Sequence, residues 1–458
     1  MDPSPRTSPP TGAKPPSSFK RVVGASLAGT TLEWYDHFIY GSAAALVFPK
    51  LFFPDDDPLT ATLLSLATYS VAFVTRPLGA AIFGHLGDKR GRKSILVVTL
   101  LVMGIATTLV GLLPTYAQIG AAAPMLLVVL RFLQGIGLGG EWGGAALMVG
   151  EHSSGGRRGF FGALMQMGSP LGLLVANGVF SLVTYLVSDD AFFSWGWRVP
   201  FLLSLLLVMT GLWIRARIHE SPLFEEESRH TDAVAPLSEV LTRHWRKVAL
   251  AVGSRIGSDV AFYVYNVLVL VYGTTQLHLD RQLLLSSVLL GAVAQALSIP
   301  VWGHLADRMG RRPVLIAGAL GAAVWTFVFF PMLDSSSPGW VVLAPVVGNV
   351  FIAAMWGPLA AYVPELFPTR VRYTGAGLGF QIAGVFGGAL APIISTYLVA
   401  HFHSWVPVAV YLGVLLALLV ACVLAARETA NSDLRSLDEQ KSEPAAAPVA
   451  GAGSTPSR

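Results

Sequence analysis

Seven side chains charged at neutral pH fall inside stretches otherwise rich in Val, Leu, Ala, Gly and Phe: Glu33, Asp36, Arg76, Arg131, Glu141, Arg255 and Asp259. A charge at mid-bilayer costs roughly 2.5 to 3.5 kcal/mol on insertion scales, so each needs a partner or a watery path. Glu33 and Asp36 are about 60° apart on a helix, which puts both on one face with Tyr40. Two carboxylates that close repel when both are ionised, which makes one a candidate to load and release a proton. The competing reading is a fixed ion-pair network with Arg131.

Arg255 and Asp259 are four apart, with Tyr263 and Asn266 continuing their stripe. That spacing suits an intrahelical pair, or a site where a carboxylate ligand competes for Arg255. Arg131 suits a bidentate carboxylate or a neighbouring acid. Glu141, ten residues on, stands about 15 Å further along the helix. Arg76 precedes Pro77 and is expected either to bond backbone carbonyls near the proline or to line the cavity. Trp142, Gln166, Asn349, Trp356 and Gln381 offer hydrogen bonds and ring faces. The proton-coupling candidates are therefore Glu33, Asp36, Arg131, Glu141 and Asp259. The substrate-binding candidates are Arg255, Tyr263, Asn266, Trp142, Trp356, Gln166 and Gln381.

These residues need membrane-spanning helices to position them. Of 458 residues, 53% are hydrophobic and only 13% charged, with a mean hydropathy of +0.60. That composition excludes a soluble enzyme, a nucleic-acid reader or a secreted disulfide module, and leaves room for about twelve spans of roughly 20 residues. Apolar runs fall at 22–48, 60–83, 94–113, 124–150, 160–187, 199–214, 248–272, 283–302, 314–333, 339–363, 373–400 and 405–426. The single cysteine, Cys422, lies in the last run and reads as a small buried side chain.

The net charge of +4 records loop placement rather than an acidic partner. Of 31 Lys and Arg, 25 fall in the tails and even-numbered loops and three on the other side, namely Lys50, Arg198 and Arg281. The asymmetry predicts a multi-pass protein of the cell (plasma or inner) membrane with both termini cytoplasmic. The other three, Arg76, Arg131 and Arg255, lie within spans. Residues 1–21 and 427–458 read as disordered cytoplasmic tails. The charged stretch 215–247 reads as a central cytoplasmic loop between two six-helix halves, 22–214 and 248–426.

The halves repeat. Gly84-His85-Leu86-Gly87-Asp88-Lys89-Arg90-Gly91-Arg92-Lys93 recurs 219 residues later as Gly303-His304-Leu305-Ala306-Asp307-Arg308-Met309-Gly310-Arg311-Arg312. A weaker echo pairs Glu151, Arg157 and Gln166 with Glu365, Arg370 and Gln381. Duplicated halves indicate a two-fold transporter architecture. In these loops Asp88 and Asp307 are expected to accept from backbone N–H groups at the start of a facing helix, while Arg92 and Arg311 pair with acids at adjacent helix ends. With Gly84, Gly91, Gly303 and Gly310 they form a candidate conformational latch.

The doubled Gly-x-Leu-x-Asp-x-x-Gly-Arg-Arg/Lys element resembles that of the major facilitator superfamily. Glu33-Trp34-Tyr35-Asp36, Arg76-Pro77-Leu78-Gly79, Arg131-Phe132-Leu133-Gln134-Gly135, Gly139-Gly140-Glu141-Trp142-Gly143-Gly144 and Ser194-Trp195-Gly196-Trp197-Arg198 resemble its metabolite:proton symporter branch, which includes shikimate, α-ketoglutarate, citrate and proline/betaine permeases. Gly104-Ile105-Ala106-Thr107, Leu113-Pro114 and Ile119-Gly120 are most similar to the shikimate permeases. The resemblance implies an all-α fold of twelve transmembrane helices in two pseudo-symmetric halves, with the first helix of each three-helix repeat lining a central cavity. Six of the seven buried charges lie on such helices.

The resemblance also implies a proton-driven importer of a small organic acid, monomeric and without cofactor. A proline/betaine or other osmolyte symporter is the alternative, and a non-transporting sensor a distant one. Unpaired Arg131 or Arg255 favours the acid, and a cage of Trp34, Trp142, Trp356 and Tyr263 favours betaine. His37 stands where the branch usually has Phe, so it either enters the proton path beside Asp36 or hydrogen-bonds at a helix-facing or peripheral position. Trp195 and Trp197 read as an interfacial belt.

Two formal matches are rejected. Gly135, Gly137 and Gly140 satisfy G-x-G-x-x-G, but no strand precedes them, and within lipid such glycines serve close helix packing. His85 and His304 read as loop hydrogen bonders, with no Cys/His cluster to make a metal site. No nucleophile–base motif indicates an enzyme.

Overall fold

The computed structural model describes residues 19–90, 92–153, 156–216 and 236–430. Twelve long helices occur among them: α1 (Phe19–Leu46), α2 (Pro58–Arg90), α3 (Arg92–Leu112), α4 (Ala122–His152), α5 (Arg158–Leu186), α6 (Val199–Ala216), α7 (Trp245–Thr275), α8 (Arg281–Met309), α9 (Arg311–Asp334), α10 (Pro338–Glu365), α11 (Thr369–Phe402) and α12 (Val406–Ala425). Eleven are long and apolar enough to cross a bilayer. The exception is α1, 28 residues long, whose Thr30, Glu33, Asp36 and His37 are buried in the protein rather than turned to lipid. Leu206, Val301, Val324 and Val414, each at least 60% exposed, show what the lipid-facing side looks like.

Burial grades with position. In its most apolar window α7 is 83% buried, whereas α12 is 33% buried. The first half packs α2 tightly on α4: a Cβ at Gly135 would sit 2.5 Å from the Ala72 carbonyl oxygen, and one at Gly140 2.5 Å from the Phe83 Cβ. These are the glycines of the rejected nucleotide motif, used for helix packing. The halves meet through α2 against α11, α4 against α11, and the start of α5 against α8 and α10.

Five findings correct the sequence reading. Residues 19–21, expected in the first tail, belong to α1, which begins at Phe19. The repeated motif is not wholly a loop, because α2 and α8 continue through Asp88 and Asp307. The central loop is shorter than 215–247: α6 runs to Ala216, and a helix at Pro236–Arg243 leads into α7. Trp197 is fully buried among Phe48, Phe52 and Phe201, so of the expected belt pair only Trp195 is exposed. The last tail begins ordered, since Glu428 and Thr429 bond to α9 and α10. The expected disorder of 1–18 and 431–458, the loop 217–235 and the latch residue Gly91 lie outside the described residues.

Candidate functional site

The three arginines inside the spans converge. Arg131 is fully buried and Arg76 is 3% exposed, and Arg76 is close enough to interact electrostatically with Arg131, Arg255, Asp259 and Tyr263. His37 lies between two of the arginines. Its Nδ1 faces the guanidiniums of Arg76 at 3.2 Å and Arg131 at 3.4 Å, which only donate, so Nδ1 accepts and the ring proton sits on Nε2. Nε2 is bonded to the Tyr69 hydroxyl, which in turn faces the Tyr263 hydroxyl across the two halves. His37 is therefore central, not peripheral. Of the two readings of Arg76, the bond to backbone carbonyls near Pro77 is not found among the described residues; its guanidinium lies 4.5 Å over the Phe73 ring and reaches His37.

Arg131 NH1 donates to Gln134 Oε1 at 3.0 Å, Nε to the Tyr69 carbonyl at 3.4 Å, and the guanidinium covers the Tyr40 ring at 4.1 Å. Asp36 turns elsewhere. It accepts from Thr107 of α3 at 3.0 Å and Ser204 of α6 at 2.6 Å. Arg131 acts on it as a nearby charge, without a direct ion pair between the two. The helical 60° places Asp36 in the α3/α6 wall, and Tyr40 binds Thr68 of α2. Glu141, at another level of α4, accepts from Thr99 at 3.1 Å.

On α7, Arg255 and Asp259 form the intrahelical pair, Nε to Oδ1 at 3.1 Å and NH2 to Oδ2 at 3.0 Å. Arg255 also bonds the Phe380 carbonyl and covers the Phe380 ring. Asn266 exchanges amide hydrogen bonds with Asn349 at 3.0 and 3.3 Å, which ties α7 to α10. π turns at Val264–Leu268 of α7 and Val385–Leu390 of α11 re-aim these helices. The second lays Gly387 against Asp259 and Gly388 against Phe73, where a side chain would not fit.

The aromatic candidates do not form one cage. Trp34, Trp356 and Phe262 cluster, with centroids 6.2 and 5.2 Å apart across the halves. Trp142 lies flat on Phe380 at 3.4 Å and donates to Gln166 at 2.9 Å. Gln381 donates to the Leu138 carbonyl of α4 at 3.3 Å. Tyr69, Phe73, Thr107, Gln134 and Ser204 were not site candidates. Tyr69 and Phe73 share the stripe of Arg76 at positions minus seven and minus three, which is the signal that could have found them.

At one end of the bundle the repeated motif clamps the halves together twice. Asp88 accepts from the N–H groups of Tyr373 at 3.1 Å and Thr374 at 2.9 Å, near the start of α11, and from the Thr374 hydroxyl at 2.7 Å. Asp307 accepts from Gly159 and Phe160 at the start of α5, both at 2.8 Å. Each carboxylate meets unpaired donors and a favourable dipole end. Arg311 bonds Asp307 at 2.6 Å and Glu365 at 3.4 Å. Gly84 and Gly303 stand where the halves touch: a Cβ on Gly84 would lie 2.7 Å from the Thr374 Cα, and one on Gly303 2.6 Å from the Gly159 oxygen. Gly310 turns between α8 and α9 at φ +103°, a conformation that favours glycine. The side chain of Arg92 lies outside what is described.

Residues 22–247 match the family described as Sugar (and other) transporter, and residues 256–453 the Major Facilitator Superfamily. The inner membrane metabolite transport protein YhjE of Escherichia coli is 42% identical over 92% of this chain and 97% of its own length. The shikimate transporter of the same organism is 39% identical over 92% and 96%, and its proline/betaine transporter 33% identical over 91% and 85%. Among solved structures, the proton:xylose symporter XylE bound to 6-bromo-6-deoxy-D-glucose superposes with a TM-score of 0.71 at 18% identity, covering 93% of this chain and 99% of that one. With a duplicated six-helix fold, a polar centre between the halves and relatives along nearly its whole length, the chain belongs to the major facilitator superfamily and is a multi-pass membrane transporter, not an enzyme.

Proposed function

We propose that this transporter imports a small organic acid of the shikimate kind together with protons, without a cofactor, as a monomer rocking its two halves around the central site. The observation that carries the reading is the excess of positive charge at the centre. Three guanidiniums gather there, yet among the described residues only Arg255 has a carboxylate partner within ion-pair distance. An anionic substrate supplies the missing charge where desolvation otherwise opposes the cations. The 39% identity to a shikimate transporter agrees with this choice.

With 25 of the 31 basic residues in the tails and even-numbered loops, the clamped end faces the cytoplasm and both termini lie there. The conformation is then closed inward, and uptake requires Asp88 and Asp307 to release their helices. One proton moved through 100 mV contributes about 2.3 kcal/mol, enough for roughly fifty-fold accumulation. The osmolyte reading draws on the Trp34, Trp356 and Phe262 rings, which offer faces to a quaternary ammonium. Against it, Trp142 is engaged with Phe380 and Gln166.

The test is uptake of labelled shikimate into energised cells in competition with α-ketoglutarate, citrate, proline and betaine, with and without a protonophore. Competition by acids and loss with the protonophore are expected. Uptake blocked only by proline and betaine overturns the organic-acid reading, and uptake indifferent to the protonophore overturns proton coupling.

A further inference from the structure

The three central arginines differ in how far their donors are satisfied. Arg255 commits one edge of its guanidinium to Asp259 and another donor to the Phe380 carbonyl. Arg131 bonds Gln134 and the Tyr69 carbonyl. Arg76 has a single polar contact among the described residues, His37 Nδ1, and its buried Nε has no hydrogen-bond partner. The Phe73 ring below it contributes a π face but no acceptor oxygen. Among the described residues no ion pair joins it to a carboxylate: Asp259, within its electrostatic reach, gives both oxygens to Arg255, and Asp36 gives its own to Thr107 and Ser204.

A buried guanidinium with most of its five donors idle is costly unless something supplies acceptors. The missing group is negative, because the neighbouring Arg131 and Arg255 make the local field positive. It is also planar with two oxygens, because that is what a guanidinium edge grips bidentately. A second idle donor lies on the other half: the buried Trp356 Nε1 has no partner, and its ring meets Trp34, which packs edge-on against His37. A compact hydroxylated acid matches this layout, with its carboxylate on Arg76, its carbon skeleton against Trp34, and a hydroxyl oxygen accepting from Trp356.

We propose that Arg76 is the seat of the substrate's carboxylate, with Trp356 Nε1 binding an oxygen at the far end of the same molecule. This rests on the organic-acid reading above and moves the anchor from Arg255, whose pairing with Asp259 stays intact when substrate is bound. A zwitterion such as betaine also has a carboxylate, so the test separates the two sources.

Binding of labelled shikimate, its methyl ester and betaine is measured on the purified full-length transporter in lipid nanodiscs, for wild type, Arg76→Gln and Arg76→Lys. Wild type is expected to prefer shikimate to its ester. Arg76→Gln is expected to weaken shikimate roughly 30-fold or more and the ester less than about threefold, with Arg76→Lys between, since a point charge attracts the anion but loses the fork. If Arg76→Gln does not elute as a folded monodisperse species, the acid-to-ester ratio of Arg76→Lys decides alone. Shikimate binding unchanged in these variants overturns the assignment and leaves the organic-acid reading standing. Wild-type preference for betaine overturns the organic-acid reading, and Arg76 then stands only if Arg76→Gln weakens betaine. Binding of neither compound by wild type overturns both.

Discussion

Asp36 and Arg131 are connected through two neutral side chains. Arg131 NH1 donates to Gln134 Oε1 at 3.0 Å, Gln134 Nε2 to the Thr107 hydroxyl at 2.6 Å, and Thr107 to Asp36 Oδ2 at 3.0 Å. A change of charge at Asp36 is therefore felt at Arg131 by reorientation of one hydroxyl and one amide. Under the proton-coupled reading proposed above, such a chain would relay the protonation of a carboxylate walled in by α3 and α6 to the cationic centre without moving a helix.

Asp36→Asn is accordingly expected to abolish pH-driven accumulation in proteoliposomes while substrate counterflow continues, because exchange needs alternating access but no net proton release. Thr107→Val removes the middle of the relay and not its ends. It is expected to lower the accumulation ratio about fivefold, the equivalent of one hydrogen bond worth about 1 kcal/mol, with substrate affinity little changed. Wild-type accumulation by Asp36→Asn would move the proton to Glu33, Glu141 or Asp259.

Asp88→Asn and Asp307→Asn each keep one acceptor oxygen but lose the charge that faces a helix start. Charge–dipole terms of about 0.3 to 1 kcal/mol, up to about 2 when partly buried, predict a shift of the open–closed balance of about twofold to fivefold per site, rising to about thirtyfold at the upper bound. Spin labels or cysteine accessibility at the clamped end report that shift, and net transport should slow more than binding weakens. A variant with wild-type balance and rate removes that carboxylate from the latch.

Gly84→Ala tests the same contact by shape. The added methyl would stand 2.7 Å from the Thr374 Cα, a backbone atom that moves only if α2 and α11 part. The clamped end is expected to open, with net transport reduced, while Gly24→Ala, where a Cβ meets nothing within 4 Å, leaves transport unchanged. If both variants transport like wild type, α2 and α11 separate more readily there than their packing indicates.

The latch was legible because its logic is local and repeated: an acid at a helix end, a glycine where backbones touch, an arginine one turn on. The twelve helices were legible from hydropathy for the same reason. The centre was not, because spacing within one helix says which face a side chain shares but not which helix it meets. Glu33 and Asp36 look like a pair on α1, yet Asp36 belongs to α3 and α6. Arg76 looks like a cap for the carbonyls before Pro77, yet His37 of α1 takes it. Only the assembled bundle shows that the three in-span arginines are neighbours.

Glu428, just beyond α12, closes on the start of α9: its carboxylate accepts from the N–H groups of Arg311 and Arg312, both at 2.9 Å, while the Thr429 hydroxyl donates to Glu365 at 2.6 Å. Burial pushes the Glu428 carboxyl up, but the N–H groups of Arg312, Arg311, Ala430 and Thr429 outweigh it and hold the carboxyl below the ordinary carboxylate range. A depressed value means that the folded clip prefers the ionised form, so its stabilisation is complete above the ordinary carboxylate pKa and fades as pH falls through the depressed one. At neutral pH, Glu428→Gln is expected to speed hydrogen exchange of the Arg311 and Arg312 amides roughly tenfold, the equivalent of about 1.4 kcal/mol for lost charge-assisted bonds. Wild type should approach the variant only in acid, once intrinsic exchange rates are corrected for pH. Because Arg311 also holds Asp307 and Glu365, the loosened clip should raise the open fraction at the α5–α8 contact before it alters the Asp88 contact. Unchanged exchange at Arg311 and Arg312 in Glu428→Gln would separate the C-terminal segment from the latch.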